Sequence, residues 1–218
     1  QKSPTLYKGN FFHNIVDDSA KRKMNGQHDT LEQLIDIAKS TWNTREYIGY
    51  SEQRENQDKK SVEEIVEEYH KWDEQNPNTI VGAEIQMDIR IGDYIVDGKI
   101  DRVEQTPDGE YVIVDYKTGG KNKEITNLNE SLQLNIYAMG LQAKKKFGKL
   151  PKLISYFYPE KEGQKIFSYE VTQADVDNTK RKLEEFLNLI DNGEFGADPN
   201  MKKCGWCDYK DLCDESQA

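Results

Sequence analysis

The sequence predicts a mixed α/β fold in which helices flank a central mixed sheet, and three observations predict it. The first third carries apolar residues at helical spacing. Three strand-like segments then follow one another with only tight turns between them. Beyond these, a long helical segment precedes a second strand pair and a last helix. Strands joined directly by turns build a sheet from hairpins, whereas regular strand–helix alternation would build an all-parallel one.

Residues 9–24 and about 28–43 read as helices, the second on the spacing of Leu31, Leu34, Ile35 and Ala38. Residues 44–60 are polar without a period and read as a loop. Ser61 with Glu64 three residues on has the form of a capping box. A helix is therefore expected to open there, with Val62, Ile65, Val66 and Tyr69 on one face, and to close at Asn76-Pro77-Asn78. In residues 83–91, Ile85, Met87, Ile89 and Ile91 alternate with Glu84, Gln86, Asp88 and Arg90, the pattern of a half-buried strand that ends at Gly92-Asp93. Residues 94–104 and 110–117 make the next two strands around the Pro107-Asp108-Gly109 turn. Residues 128–148 are expected as one long helix with Leu128, Leu132, Ile136, Met139, Ala143 and Phe147 near one face. Residues 151–159 and 164–171 read as two more strands, and 173–192 as a helix closed by Asn192-Gly193.

The 218 residues suit one domain on the usual scale of about 100–200 residues. The expected organisation is a single domain over 1–218, with a helical part (1–79), a core (80–192) and a cysteine tail (193–218). Apolar residues make up 35% and charged residues 32%, and no stretch approaches the roughly 18 apolar residues of a membrane span. No signal peptide is evident, so membrane insertion and export are not expected. The chain begins with Gln1, which leads to the expectation that it is excised from something longer. Its three cysteines, Cys204, Cys207 and Cys213, lie within ten residues. An odd, clustered set does not make a disulfide framework, so a reducing, cytoplasmic setting is expected, with the thiols free or holding a metal.

A net charge of −10 argues against nonspecific coating of nucleic acid. The average hides a reversal. Residues 80–116 carry 3 basic and 9 acidic groups, whereas 117–152 carry eight lysines (Lys117, Lys121, Lys123, Lys144, Lys145, Lys146, Lys149 and Lys152) against Glu124 and Glu130. The block reads either as a solvated helix face or as a surface for phosphates beside carboxylates that could hold a divalent metal.

By the strand period of two, Asp97, Lys99 and Asp101 share one face of the second strand, and Ile113, Asp115 and Lys117 share one face of the third. Charges on an inward face are costly unless paired or bound to a metal. Either Asp115 and Lys117 lie at a solvated strand end, or Asp101 and Asp115 on paired strands converge on one cation. Oxygen ligands of this kind suit Mg²⁺ or Mn²⁺.

Gly98-Lys99-Ile100-Asp101-Arg102, then Val114-Asp115-Tyr116-Lys117-Thr118-Gly119, then Gln133-Leu134-Asn135-Ile136-Tyr137 resemble, in order, the motifs of the RecB-type branch of the PD-(D/E)XK nucleases. The likeness extends from Phe11 to Cys213. It implies a restriction-endonuclease-like core and metal-dependent hydrolysis of DNA phosphodiesters at single- or double-stranded ends, with exonucleolytic end processing in repair or recombination as the expected role and a helicase in cis or in trans. In that likeness Asp101 and Asp115 correspond to metal carboxylates, the Tyr116 backbone carbonyl and His13 to further metal ligands, and Lys117 to the residue that positions the attacking water. Gln133 and Tyr137 match a glutamine–tyrosine pair on the following helix, four residues apart and so on one face. Glu84 matches a glutamate of the preceding strand. Without a cation, Asp97, Asp101, Asp115 and Glu84 are expected to repel one another.

Cys204, Cys207 and Cys213 have ligand-like spacing but are one thiolate short of a tetrahedral zinc or cubane site. The resemblance implies a [4Fe–4S] cluster completed by a cysteine upstream of the histidine helix, which this sequence lacks. The competing reading is a catalytically inactive nuclease-fold module that binds DNA or acts as a scaffold for a helicase.

Overall fold

The computed structural model describes residues 3–119, 125–194 and 196–217. The chain divides into two compact units, residues 1–179 and 180–218.

In the first unit, helix α1 (Pro4–Met24) starts with the Ser3 hydroxyl accepting from the Leu6 N–H and with Pro4 in the first turn. It ends on Lys21, Arg22 and Lys23, which complement the helix dipole. Helix α2 (Leu31–Thr41) opens with a reciprocal capping box between Thr30 and Gln33. Helix α3 runs over Glu52–Gln75 and closes at Asn76.

The expected loop over 44–60 is therefore wrong in its second half, and Ser61 is not a cap. Residues 52–60 have no apolar period, but they are good helix formers. The helix begins at the Ser51 cap and is braced by the i,i+4 pairs Arg54–Asp58 and Glu55–Lys59. Ser61 lies inside it, and its hydroxyl accepts from Lys8 Nζ at 3.1 Å.

Five strands follow the expected mixed pattern: β1 (Thr79–Ile91), β2 (Tyr94–Gln105), β3 (Tyr111–Tyr116), β4 (Leu153–Phe157) and β5 (Ile166–Glu170). They lie in sequence order. The β1–β2, β2–β3 and β4–β5 pairs are antiparallel, and β3–β4 is parallel. The parallel step needs a crossover. Helix α4 (Leu132–Ala143) supplies it.

Val112, Val114 and Tyr116 of β3 join Phe157 and the apolar faces of α1, α2 and α3 in one core. Alternation sends Ile113 and Asp115 to the other face, which α4 covers. Its contact with β1 is close. A Cβ on Gly140 would lie 2.1 Å from Met87 Sδ and 3.0 Å from Met87 Cβ.

The long helix expected over 128–148 is shorter, and its buried face is turned. A 3-10 turn (Leu128–Glu130) precedes it, and Ser131 caps α4. Leu134, Tyr137, Ala138 and Leu141 are buried, whereas Leu132 is exposed, as is Ala143. Met139 and Phe147 of the expected face are buried as well, and Tyr137 joins the inward side while Gln133 stays exposed.

Helix α5 (Gln173–Asp191) runs into the second unit, which also holds α6 (Met201–Trp206), capped by the Asn200 side chain.

Candidate active site

β2 and β3 carry Asp101 and Asp115 side by side, and both are buried, Asp115 with 2% of its surface exposed. Asp101 Oδ2 accepts from the Tyr116 N–H at 2.9 Å, which fixes its carboxylate against the end of β3. Lys117 leaves β3 with its N–H donating to the Phe157 carbonyl at 2.9 Å. Its Nζ lies 2.7 Å from Asp115 Oδ2 and donates to Gln133 Oε1 at 2.8 Å. Gln133 Nε2 in turn donates to Tyr137 Oη at 2.9 Å. One turn of α4 therefore holds the lysine from above while the sheet holds it from below.

Helix α1 supplies the other wall. His13 Nε2 is 3.0 Å from the Tyr116 carbonyl, and its Nδ1 is 3.6 Å from Asp101 Oδ2. Asp17, one helical turn on, is 4% exposed. Glu84 sits in β1 with φ of +52°, between the Ala83–Arg102 and Ile85–Ile100 pairs and thus opposite Asp101. Its carboxylate is held by Lys21 and Lys99.

The electrostatics are those of an acidic cluster short of positive charge. Burial, then the charges of Asp101 and Glu84, push the Asp17 carboxyl up to about 7. Burial and the charge of Asp101 raise Asp115, against the pull of Lys117. Burial lowers His13, but the neighbouring Asp101, with Asp17 and Asp115, outweighs it and leaves the imidazole raised. The hydrogen bonds from Lys21 and Lys99 lower Glu84 to about 2. Burial raises the Tyr137 hydroxyl.

His13, Glu84, Asp101, Asp115, Tyr116, Lys117, Gln133 and Tyr137 thus fall in one neighbourhood, drawn from five elements. Asp17 was missed, since its spacing of four from His13 is by itself no signal. Two expectations need correcting. Asp97 is exposed, two residues outward from Asp101, and Glu84 is neutralised by lysines, so the repulsion falls on Asp17, Asp101 and Asp115 instead.

Of the basic block, Lys117 adjoins the carboxylates but Lys144–Lys149 do not. These follow the far end of α4, about 15 Å along the helix from Gln133 at 1.5 Å per residue. Lys146 there donates to the Val81 carbonyl and Lys149 to that of Gly109. Lys121, Lys123 and Glu124 lie outside the described residues.

The donor chemistry fits a hard divalent cation. Asp17 Oδ1 is buried without a hydrogen-bond donor, Asp115 Oδ2 has Lys117 alone beside it, and carboxylate oxygens are the ligands Mg²⁺ and Mn²⁺ prefer. The side chains are not closed into a cage: among the described residues, no three His, Cys, Asp or Glu converge tightly enough to hold an ion. The same holds for the tail. Cys204 is buried, Cys213 half-buried and Cys207 exposed, so the thiols as they stand do not fit a metal cluster.

A sequence profile of the PD-(D/E)XK nuclease superfamily matches residues 1–214. Over 133 residues the chain is 29% identical to the gene 69 protein of Mycobacterium phage L5, a match that takes in 60% of this chain but only 43% of the phage protein. A crystal structure from Eubacterium rectale, provisionally named as an exonuclease, superposes with a TM-score of 0.52 at 18% identity, over 97% of this chain and 75% of that one. At that identity the likeness speaks to fold alone. Among the described residues, no helix is long and apolar enough to cross a membrane.

Proposed function

The chain belongs to the PD-(D/E)XK nuclease superfamily, and from that premise we propose that it is a divalent-metal-dependent deoxyribonuclease acting at DNA ends. The observation that carries this reading is the buried pair Asp101 and Asp115 beside Lys117, with an oxygen of the neighbouring Asp17 left without a donor. Asp101 and Asp115, with His13 and the Tyr116 carbonyl beside them, would hold Mg²⁺ or Mn²⁺. Such an ion supplies Lewis-acid polarisation of a phosphoryl oxygen and a more acidic bound water.

The protein's own groups do the rest. Lys117, fixed between Asp115 and Gln133, presents an ammonium that can hold the attacking water and offset charge developing on the phosphate. Gln133 keeps that ammonium aimed, because its amide is itself held by Tyr137. Asp101, tied to the Tyr116 N–H, keeps the end of β3 in place. Exonucleolytic action is supported by the name given to the E. rectale protein. Coupling to a helicase in DNA repair or recombination belongs to the same proposal and rests on the resemblance of motifs alone, as does an iron–sulfur cluster at the cysteines.

The test is cleavage of end-labelled single- and double-stranded DNA in Mn²⁺, Mg²⁺ and EDTA, beside Lys117→Ala and Asp115→Asn. Cleavage that needs metal and is lost in both variants is expected. A folded wild type that binds Mn²⁺ and DNA yet cuts neither substrate would favour the inactive-module reading instead.

A further inference from the structure

A second feature adjoins Lys117. A cleft of about 250 Å³ is bounded by Tyr156 and Tyr158 on one side and by residues 125–128, 130 and 131 on the other. The parallel register sets Tyr156 directly beside Asp115, one strand spacing of about 4.8 Å away. Alternation puts Tyr158 on the same face. Lys117 Nζ lies over the Tyr156 ring, 5.0 Å from its centroid. The Tyr156 hydroxyl is held 2.8 Å from Ser131 Oγ and 3.4 Å from Gln133 Oε1, so the ring is fixed to the same α4 turn that aims the lysine. Tyr158 backs Tyr156 edge-on at 5.9 Å and packs on Phe167.

The lining chooses its ligand. Among the described residues it carries no lysine or arginine and one carboxylate, Glu130. A neutral planar group would find aromatic surface there together with the polar side chains of Thr126, Asn127 and Ser131, with the phosphate joined to it lying toward Lys117. The volume lies below the ~300–1,000 Å³ of sites for larger ligands, in keeping with one ring system. A nucleotide whose phosphate lies at Lys117 has its base within a strand spacing or two.

We propose that this cleft is a subsite for a single unstacked nucleobase flanking the scissile phosphate, with Tyr156 as its stacking platform. The inference deepens the nuclease reading and rests on it. A base can reach the ring only when its Watson–Crick partner and its stacked neighbour have been given up, as in single strands or frayed ends, and aromatic stacking accepts any base.

The test scans a single-stranded oligonucleotide with one abasic residue at each position in turn, with a second duplex substrate cross-linked so that its end cannot fray. Wild type, Tyr156→Leu and Tyr156→Phe are compared for kcat and KM separately. One abasic position next to the cut is expected to raise KM about 10- to 100-fold. Tyr156→Leu should do the same on the intact strand and add little on the abasic one, while Tyr156→Phe, which keeps the ring but loses its hydroxyl anchor, should fall between the two and keep the response to the abasic position. The cross-linked duplex should be cut at least about tenfold more slowly. Cleavage that ignores every abasic position, or equal cleavage of the cross-linked duplex, overturns the subsite and leaves the nuclease reading standing. If nothing is cut, the nuclease reading fails by itself. The subsite is then decided by fluorescence of a 2-aminopurine strand, which wild type should quench and Tyr156→Leu should not, equal quenching by both ruling it out.

Discussion

Asp101 and Arg102 are neighbours on β2, and alternation sends them into two buried charge clusters that differ in one respect. Arg102, fully buried, meets Asp73 and Glu104, each at 2.7 Å, and lies over the Trp72 ring. Lys23 completes the pairing on Asp73 at 2.6 Å, and Asn76 and Asn78 donate to Glu104. Two cations there face two carboxylates. Around Asp101, three buried carboxylates face Lys117 and a histidine, so that negative charge is in excess. Pairing offsets the desolvation of a buried cluster only while every partner is present, so breaking it costs much. An uncompensated one is destabilising until a cation joins it. The first cluster ties α3 to the sheet, and the second keeps an excess of negative charge.

The largest effect expected from this contrast lies in catalysis. Lys117→Ala and Asp115→Asn should each lower the rate of DNA cleavage about 10²–10⁴-fold, while Asp115→Asn leaves the melting temperature of the metal-free protein unchanged or higher. A fall in stability matching that of an Arg102 variant would mean that the two clusters do the same job.

Arg102→Ala should destabilise by about 3–5 kcal/mol, because it strands Asp73 and Glu104 in the interior. Urea denaturation reads this directly, and a loss below about 1 kcal/mol would remove the distinction drawn here.

Asp17→Asn should act in the opposite sense. A carboxyl raised from 3.8 to about 7 on folding keeps its proton longer in the folded state than in the unfolded one, so the metal-free protein loses stability as pH rises from about 4 through 7 and levels off above. The amide removes that loss and should stabilise the metal-free protein at pH 8 by on the order of 1–3 kcal/mol, with no gain at pH 4. Melting curves at the two pH values compare the variants, and an equal shift at both would deny Asp17 its raised ionisation.

Glu84→Gln is the smallest. Its carboxylate is partly exposed and held by two surface lysines, so after solvent screening the loss should stay below about 1 kcal/mol. Glu84 is lowered to about 2, so its contribution is present above the unfolded value of 4.5 and disappears as pH falls toward 2. A drop in cleavage beyond about tenfold with stability intact would instead move Glu84 into the site.

Much of the site was legible because its residues follow local rules. Asp101 and Asp115 stand out as charges on alternating strands and Lys117 follows at the strand period, whereas His13, Gln133 and Tyr137 were singled out by the resemblance of motifs. What escaped depends on distant partners. Asp17 carried no signal until α1 was laid against β2. Glu84 looked available until Lys21 and Lys99, 63 and 15 residues away, closed on it. The lysines after α4 adjoin the carboxylates in sequence, yet the length of the helix carries them to the other end of the sheet. The helical run at 52–60 was missed for a different reason, since propensity, a cap and i,i+4 pairs build it without any apolar stripe.

The sequence by itself determined the order of strands and helices, the turns, and which charged residues break the apolar pattern, because backbone periodicity is a local property. Only the tertiary structure decided which buried charges find partners. Arg102 is neutralised, whereas Asp17, Asp101 and Asp115 outnumber the cations beside them, and that outcome depends on which helix packs on which face of β2, a long-range fact that no window of sequence contains.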